Sequence, residues 1–109
     1  MSKKLKYSCK IKGLDWSFQC QSQLSYTREH GKDSDAIPYT HEKEVYFNKA
    51  KLLPSTVRHE LLHCYVASSG INSASLTADQ MEEICAEIFE HHAMDMNTIV
   101  DKILEHFLR

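Results

Sequence analysis

The sequence has no apolar run near the ~20 residues that cross a bilayer, and its basic N-terminus lacks the apolar core of a signal peptide. A membrane role is excluded on that ground, and a cytoplasmic location is expected. The sequence also lacks any Cys-x-x-Cys pair: Cys9, Cys20, Cys64 and Cys85 stand far apart. That is poor spacing for a zinc ribbon and points to free thiols in a reducing compartment. Cys64 and Cys85 fall in helical apolar patterns, where each acts as a small buried hydrophobe. An excess of positive charge is missing as well. Thirteen Lys and Arg against fifteen Asp and Glu leave a net charge of −2, which argues against nucleic acid as the partner. The basic cluster Lys3, Lys4, Lys6, Lys10 and Lys12 reads as a solvated strand face. There is no internal repeat and no low-complexity stretch, and 109 residues fit a single domain, residues 1–109.

The pattern of apolar positions splits the chain in two. Residues 5–12 alternate and read as a strand, Gly13-Leu14-Asp15 as a turn, and residues 16–26 as a second strand or an irregular strand-to-helix stretch. Residues 28–42, with Gly31, Asp33, Ser34, Asp35 and Pro38, read as a loop. Glu44-Val45-Tyr46-Phe47 is a short strand. The second half is helical. Pro54-Ser55 opens a helix with Ser55 as its N-cap, and Gly70 supplies a left-handed stop. Thr77 and Gln80 form a capping box. Met81, Ile84, Cys85, Ile88, Phe89 and His92 then mark one face of the next helix. Asp95 to Asn97 breaks it, and Ile99, Val100, Ile103, Leu104 and Phe107 form a last amphipathic helix. The expected fold is α+β: a small antiparallel sheet over residues ~5–48, then helices near 55–68, 78–94 and 97–108, with a metal site between two helices.

The run His59-Glu60-Leu61-Leu62-His63 carries the chemistry. Residues four apart on a helix share a face, so His59 and His63 can offer two imidazole nitrogens to one zinc ion at ~2.0–2.1 Å. Glu60 flanks the ion and can take a proton from its water, the arrangement of the His-Glu-x-x-His zinc peptidases. With seven His and nine Glu in 109 residues, chance supplies about 0.04 such windows. The plainer reading is two solvent-facing histidines on a core helix. A catalytic zinc needs a third protein ligand and an open position for water. Glu82, Glu83, Glu87, Glu90 and His91, all on the following helix, are the candidates.

These residues resemble the gluzincin metallopeptidases, in which a Glu-x-x-x-(Asp/Glu) helix follows His-Glu-x-x-His. The match is Glu83-Ile84-Cys85-Ala86-Glu87. Residues 45–47 and the run 56–63 followed by Ser69-Gly70 also look like small zincin-like proteins of bacteriophages and bacteria. The resemblance covers residues 43–91. It implies that Glu83 is the third ligand and that Glu87 hydrogen-bonds a ligand histidine. Glu87 departs from the family in standing where Asp is usual. Periodicity keeps Glu82 open as the ligand, because Glu82 flanks the apolar stripe while Glu83 lies nearly opposite it.

The implied function is zinc-dependent hydrolysis of a peptide bond in a peptide or protein substrate, with Glu60 as general base. The alternative is a zinc-stabilised binding or regulatory module, phage-encoded or not, without proteolysis. Glu60 favours the enzyme, since a structural site needs no such carboxylate and more often has four protein ligands. The Glu44–Phe47 strand directly precedes the metal helix and is expected to take an extended substrate. Tyr46 and Tyr65 are candidate oxyanion donors, although packing roles are the simpler reading of both. His30, His41 and His106 are expected at the surface, and His92 on the apolar stripe.

Overall fold

The computed structural model describes residues 6–31, 34–70 and 75–108. In chain order they form β1 (Lys6–Ile11), β2 (Leu14–Gln21), α1 (Gln23–His30), β3 (Ala36–Tyr39), β4 (Glu44–Asn48), a short 3-10 turn (Lys49–Lys51), α2 (Pro54–Ser68) and α3 (Ala78–Leu108). The architecture is α+β, as the periodicities imply.

β1 and β2 form a hairpin whose register pairs Ile11 with Leu14, leaving a two-residue turn. Its residues Lys12 (φ 52°) and Gly13 (φ 84°) are both left-handed, the geometry that matches the twist of the strands. Gly13 adopts it freely, whereas Lys12 is held there by the hairpin. The sheet order is β1-β2-β4-β3, with β1/β2 and β3/β4 antiparallel but β2/β4 parallel. The sheet is therefore mixed rather than antiparallel. The reason is α1. It is capped by Ser22, whose hydroxyl accepts from the Ser25 N–H, and stopped by left-handed Gly31. α1 carries the chain past β2 so that β4 enters beside β2 in the same direction. The region 28–42 read as a loop thus contains the end of α1 and all of β3.

One face of the sheet presents Trp16, Phe18 and Cys20 from β2 with Val45 and Phe47 from β4, all buried. Alternation along each strand puts these side chains on one side. Val57, Leu61, Cys64 and Tyr65 of α2 and Met96, Val100, Ile103 and Phe107 of α3 close over them. Phe18 stacks on Phe47 at 6.2 Å, and Phe107 meets Phe47 edge-on at 6.4 Å. The Trp16 indole donates to Ser68 Oγ at 2.8 Å, tying β2 to the end of α2. On the opposite face α1 packs its fully buried Tyr26 and its His30 over Tyr46.

α2 begins with Pro54 in its first turn, after Leu53, which makes no side-chain cap. Ser55 is therefore inside the helix rather than at its N-cap. Pro54 lacks an N–H, so one orphan donor is already removed. Gly70 (φ 76°) ends the helix by donating to the Ala67 carbonyl at 3.0 Å. The capping box is formed: Thr77 N–H donates to Gln80 Oε1 at 2.9 Å, and Gln80 N–H donates to Thr77 Oγ1 at 3.1 Å.

α3 then runs unbroken for 31 residues, so the expected break at Asp95–Asn97 does not occur. Asp and Asn cost a helix only about 0.7 kcal/mol each relative to Ala. Both are exposed, and Met96 between them is 1% exposed in the core. Burying that side chain returns about 1.5–3 kcal/mol, which outweighs the local penalty. No helix among the described residues is long and apolar enough to cross a membrane.

Candidate functional site

α2 turns His59 and His63 outward, both exposed, while Glu60 points into the protein and is only 6% exposed. The two imidazoles stand 4.9 Å apart, centre to centre, at 77°. They share a face, as their spacing dictates. Desolvation of the His63 ring where it lies against the protein, and then the nearby His59 imidazole, lower its pKa. His63 is thereby kept neutral at neutral pH, with a lone pair available to a metal.

Glu60 is the unusual group. Its Oε1 is buried and has no hydrogen-bond partner among the described residues. Burial pushes its pKa up; the His59 imidazole opposes the shift and the Asp35 carboxylate adds to it. A buried, unsatisfied carboxylate destabilises a fold, by about 1–3 kcal/mol or more. Helix α2 carries that cost on the same turn that presents the two histidines.

The surroundings of Glu60 come from residues that the sequence reading missed. Asp35 precedes β3, and the packing of α2 on β3 carries it toward Glu60. The Tyr26 ring is buried and its hydroxyl hydrogen-bonds Ser34 Oγ at 2.7 Å; the Glu60 carboxylate contributes to raising its pKa, after burial itself. Neither was legible in advance, because Tyr26 lay in a stretch read as a strand or strand-to-helix segment and β3 lay inside the stretch read as a loop.

The other candidates are not gathered at the histidine pair. Among the described residues no three His, Cys, Asp or Glu side chains stand together closely enough to hold a metal. Glu82, Glu83 and Glu87 are exposed on α3. Tyr65 of α2 lies against His92 of α3, their rings 5.1 Å apart, and Ser69 shares a hollow with Ile84 and Ile88. The helices are thus antiparallel. At 1.5 Å per residue Glu83 lies roughly 15 Å along the axis from the level of His63. Glu87 lines the same hollow as Ser69, beyond the end of the histidine motif.

The expectations for β4, His30 and His106 change, while Tyr65 takes the packing role that was its simpler reading. β4 is paired on both sides, so Glu44–Asn48 offers no free edge; the edges of the sheet are β1 and β3. Tyr46 donates its hydroxyl to Glu44 Oε1 at 3.0 Å, on the face with His30. Burial and that bond push its pKa up to about 12. Tyr65 is 3% exposed and belongs to the core. His41 is exposed, but His30 and His106 are partly buried. His30 bridges Tyr39 Oη at 2.8 Å and Gln21 Oε1 at 3.0 Å, and His106 packs against Tyr7 at 5.5 Å. The four cysteines are free thiols, Cys20 and Cys64 buried and Cys9 and Cys85 partly so.

Comparison with protein families, curated proteins and solved structures returned no match.

Proposed function

We propose that this chain is a zinc-dependent, metallopeptidase-like hydrolase centred on His59, Glu60 and His63. The observation that carries this reading is the buried Glu60 oxygen, without a hydrogen-bond partner among the described residues, on the same helical turn that presents His59 and His63. An ordinary core helix has no use for such a carboxylate. The donor chemistry fits zinc at two positions, His59 and His63. When bound, zinc polarises a carbonyl and acidifies water.

Glu60 accepts a proton from the attacking water and returns it to the leaving amine. Its raised pKa brings it closer to the working pH, the condition for such a shuttle. The substrate reading rests on β3, an edge strand packed on α2, along which an extended peptide can add by main-chain hydrogen bonds.

For the third ligand, Glu83 rests on the gluzincin resemblance, and Glu87 would orient a histidine from the same helix. Both roles require the N-terminal half of α3 to close toward His63. Asp35 is the carboxylate whose field reaches Glu60 without such a movement. The second reading, a zinc-stabilised binding module, is favoured by one observation: no three-ligand group is assembled among the described residues. Metal analysis of the purified chain, then peptide-library digestion by the parent protein and Glu60→Gln, tests the proposal. About one zinc per chain and cleavage by the parent alone support it. Zinc-free protein, or equal cleavage by both, overturns it.

A further inference from the structure

Away from the histidine pair, the turn of the β1–β2 hairpin, the end of α2 and one face of α3 enclose a hollow of about 210 Å³. Its floor is apolar, made by Ile84 and by Ile88, which is 5% exposed. Lys12 stands on one side and Glu87 on the α3 side, with His91 and His92 beside them. His92 is held in place by its ring contact with Tyr65.

The two opposite charges are not paired. Neither Lys12 nor Glu87 has an ion-pair partner among the described residues, though they line the same hollow. Lys12 instead donates to the neutral Ser69 hydroxyl at 2.9 Å, and Ser69 Oγ donates to the Tyr65 carbonyl at 2.9 Å. The ammonium is thereby positioned while its charge stays uncompensated. Lys12 holds this place from a left-handed backbone position, φ 52°, where Asn or Gly is the ordinary residue of such a turn.

A ligand must answer both charges and the apolar floor. A metal ion is disfavoured, because the Lys12 ammonium repels it and too few donors converge. A simple anion meets Glu87, and a simple cation meets Lys12. The volume is below the about 300–1,000 Å³ of pockets for larger ligands.

We infer that this hollow binds a free α-amino acid with an aliphatic side chain. Its carboxylate faces Lys12, its ammonium faces Glu87, and its side chain covers Ile84 and Ile88. Charge-assisted hydrogen bonds at both ends fix the orientation. Ser69 lines the hollow six residues past His63 and about 9 Å further along α2; Glu87 is shared with the zinc reading, so binding is measured on metal-free protein, where that role is not in play.

The test is titration of the full-length chain with L-leucine, followed through backbone amide resonances. Saturable shifts are expected at Gly13, Glu87 and His91. Leucine amide, which lacks the carboxylate, and 4-methylpentanoate, which lacks the ammonium, should each bind about tenfold more weakly. Lys12→Gln and Glu87→Gln should each weaken leucine binding by a similar factor; both positions are exposed, and neither change touches the core. No saturable shift up to about 10 mM leucine, or 4-methylpentanoate binding as tightly as leucine, overturns the inference. The readout is binding rather than turnover, so its failure leaves the hydrolase reading standing, and the reverse.

Discussion

The imidazoles of His59 and His63 stand 4.9 Å apart on the solvent side of α2, and Glu60, one residue from the first, turns inward. Two imidazole donors and one buried carboxylate thus come from a single helical turn. The same turn is anchored to the core by Leu61 and Cys64, both fully buried.

Metal should stabilise this protein. A chelator should lower its melting temperature, because an ion bound only by the folded chain shifts the folding equilibrium. His59→Ala and His63→Ala should each lose the metal, read by metal analysis after dialysis. Stoichiometric zinc retained in the double variant would place the site elsewhere.

Without metal, Glu60 should weaken the fold as pH rises. Its folded pKa lies above the ordinary 4.5 because of burial. Its stabilising contribution is therefore complete below about pH 4.5 and is lost as pH climbs through the raised value. His63 acts oppositely: its folded pKa is lowered from 6.5 by burial and by His59. Its contribution is present above pH 6.5 and is lost as pH falls through the lowered value. The difference between parent and Glu60→Gln isolates the carboxylate. Metal-free Glu60→Gln should be more stable than the parent at pH 7, by about 1–3 kcal/mol, and the advantage should vanish toward pH 4. Urea unfolding at both pH values reads it; an equal or less stable variant at pH 7 contradicts it.

The third ligand separates two carboxylates. Under the gluzincin assignment Glu83→Ala should abolish tight zinc binding, and Glu87→Gln should weaken it by roughly 10–100-fold. Isothermal titration with zinc decides. Normal binding by Glu83→Ala with loss in Asp35→Ala would move the third position to the loop before β3; loss in Glu82→Ala alone would move it one residue along α3.

What was legible in the sequence follows from where the physical signals are local. The helical spacing of His59 and His63, Gly70 as a helix stop and the Thr77–Gln80 box are short-range patterns, and the structure forms each of them. The parallel pairing of β2 with β4 depends on α1, a helix that buries little beyond Tyr26 and so lacks a strong apolar stripe. The continuity of α3 depends on Met96 reaching the core, which overrides the weak helix preference of Asp95 and Asn97. Asp35 escaped notice for the same reason as β3: a four-residue strand containing Pro38 reads as a turn.

Continuity of α3 gives its own test. Met96→Ala should cost about 2–5 kcal/mol, as for other large core side chains truncated to Ala. Amide exchange should show protection running through residues 94–98. Fast exchange there, with Met96→Ala costing under about 1 kcal/mol, would mean two helices after all.

The most direct measurement is turnover of a cleavable peptide by Glu60→Gln. Gln keeps the shape of Glu60 and removes its basicity. Zinc content and fold should be retained while turnover falls by roughly 10²–10⁴, the usual contribution of a positioned base. A variant that retains zinc and cleaves as fast as the parent would contradict the account.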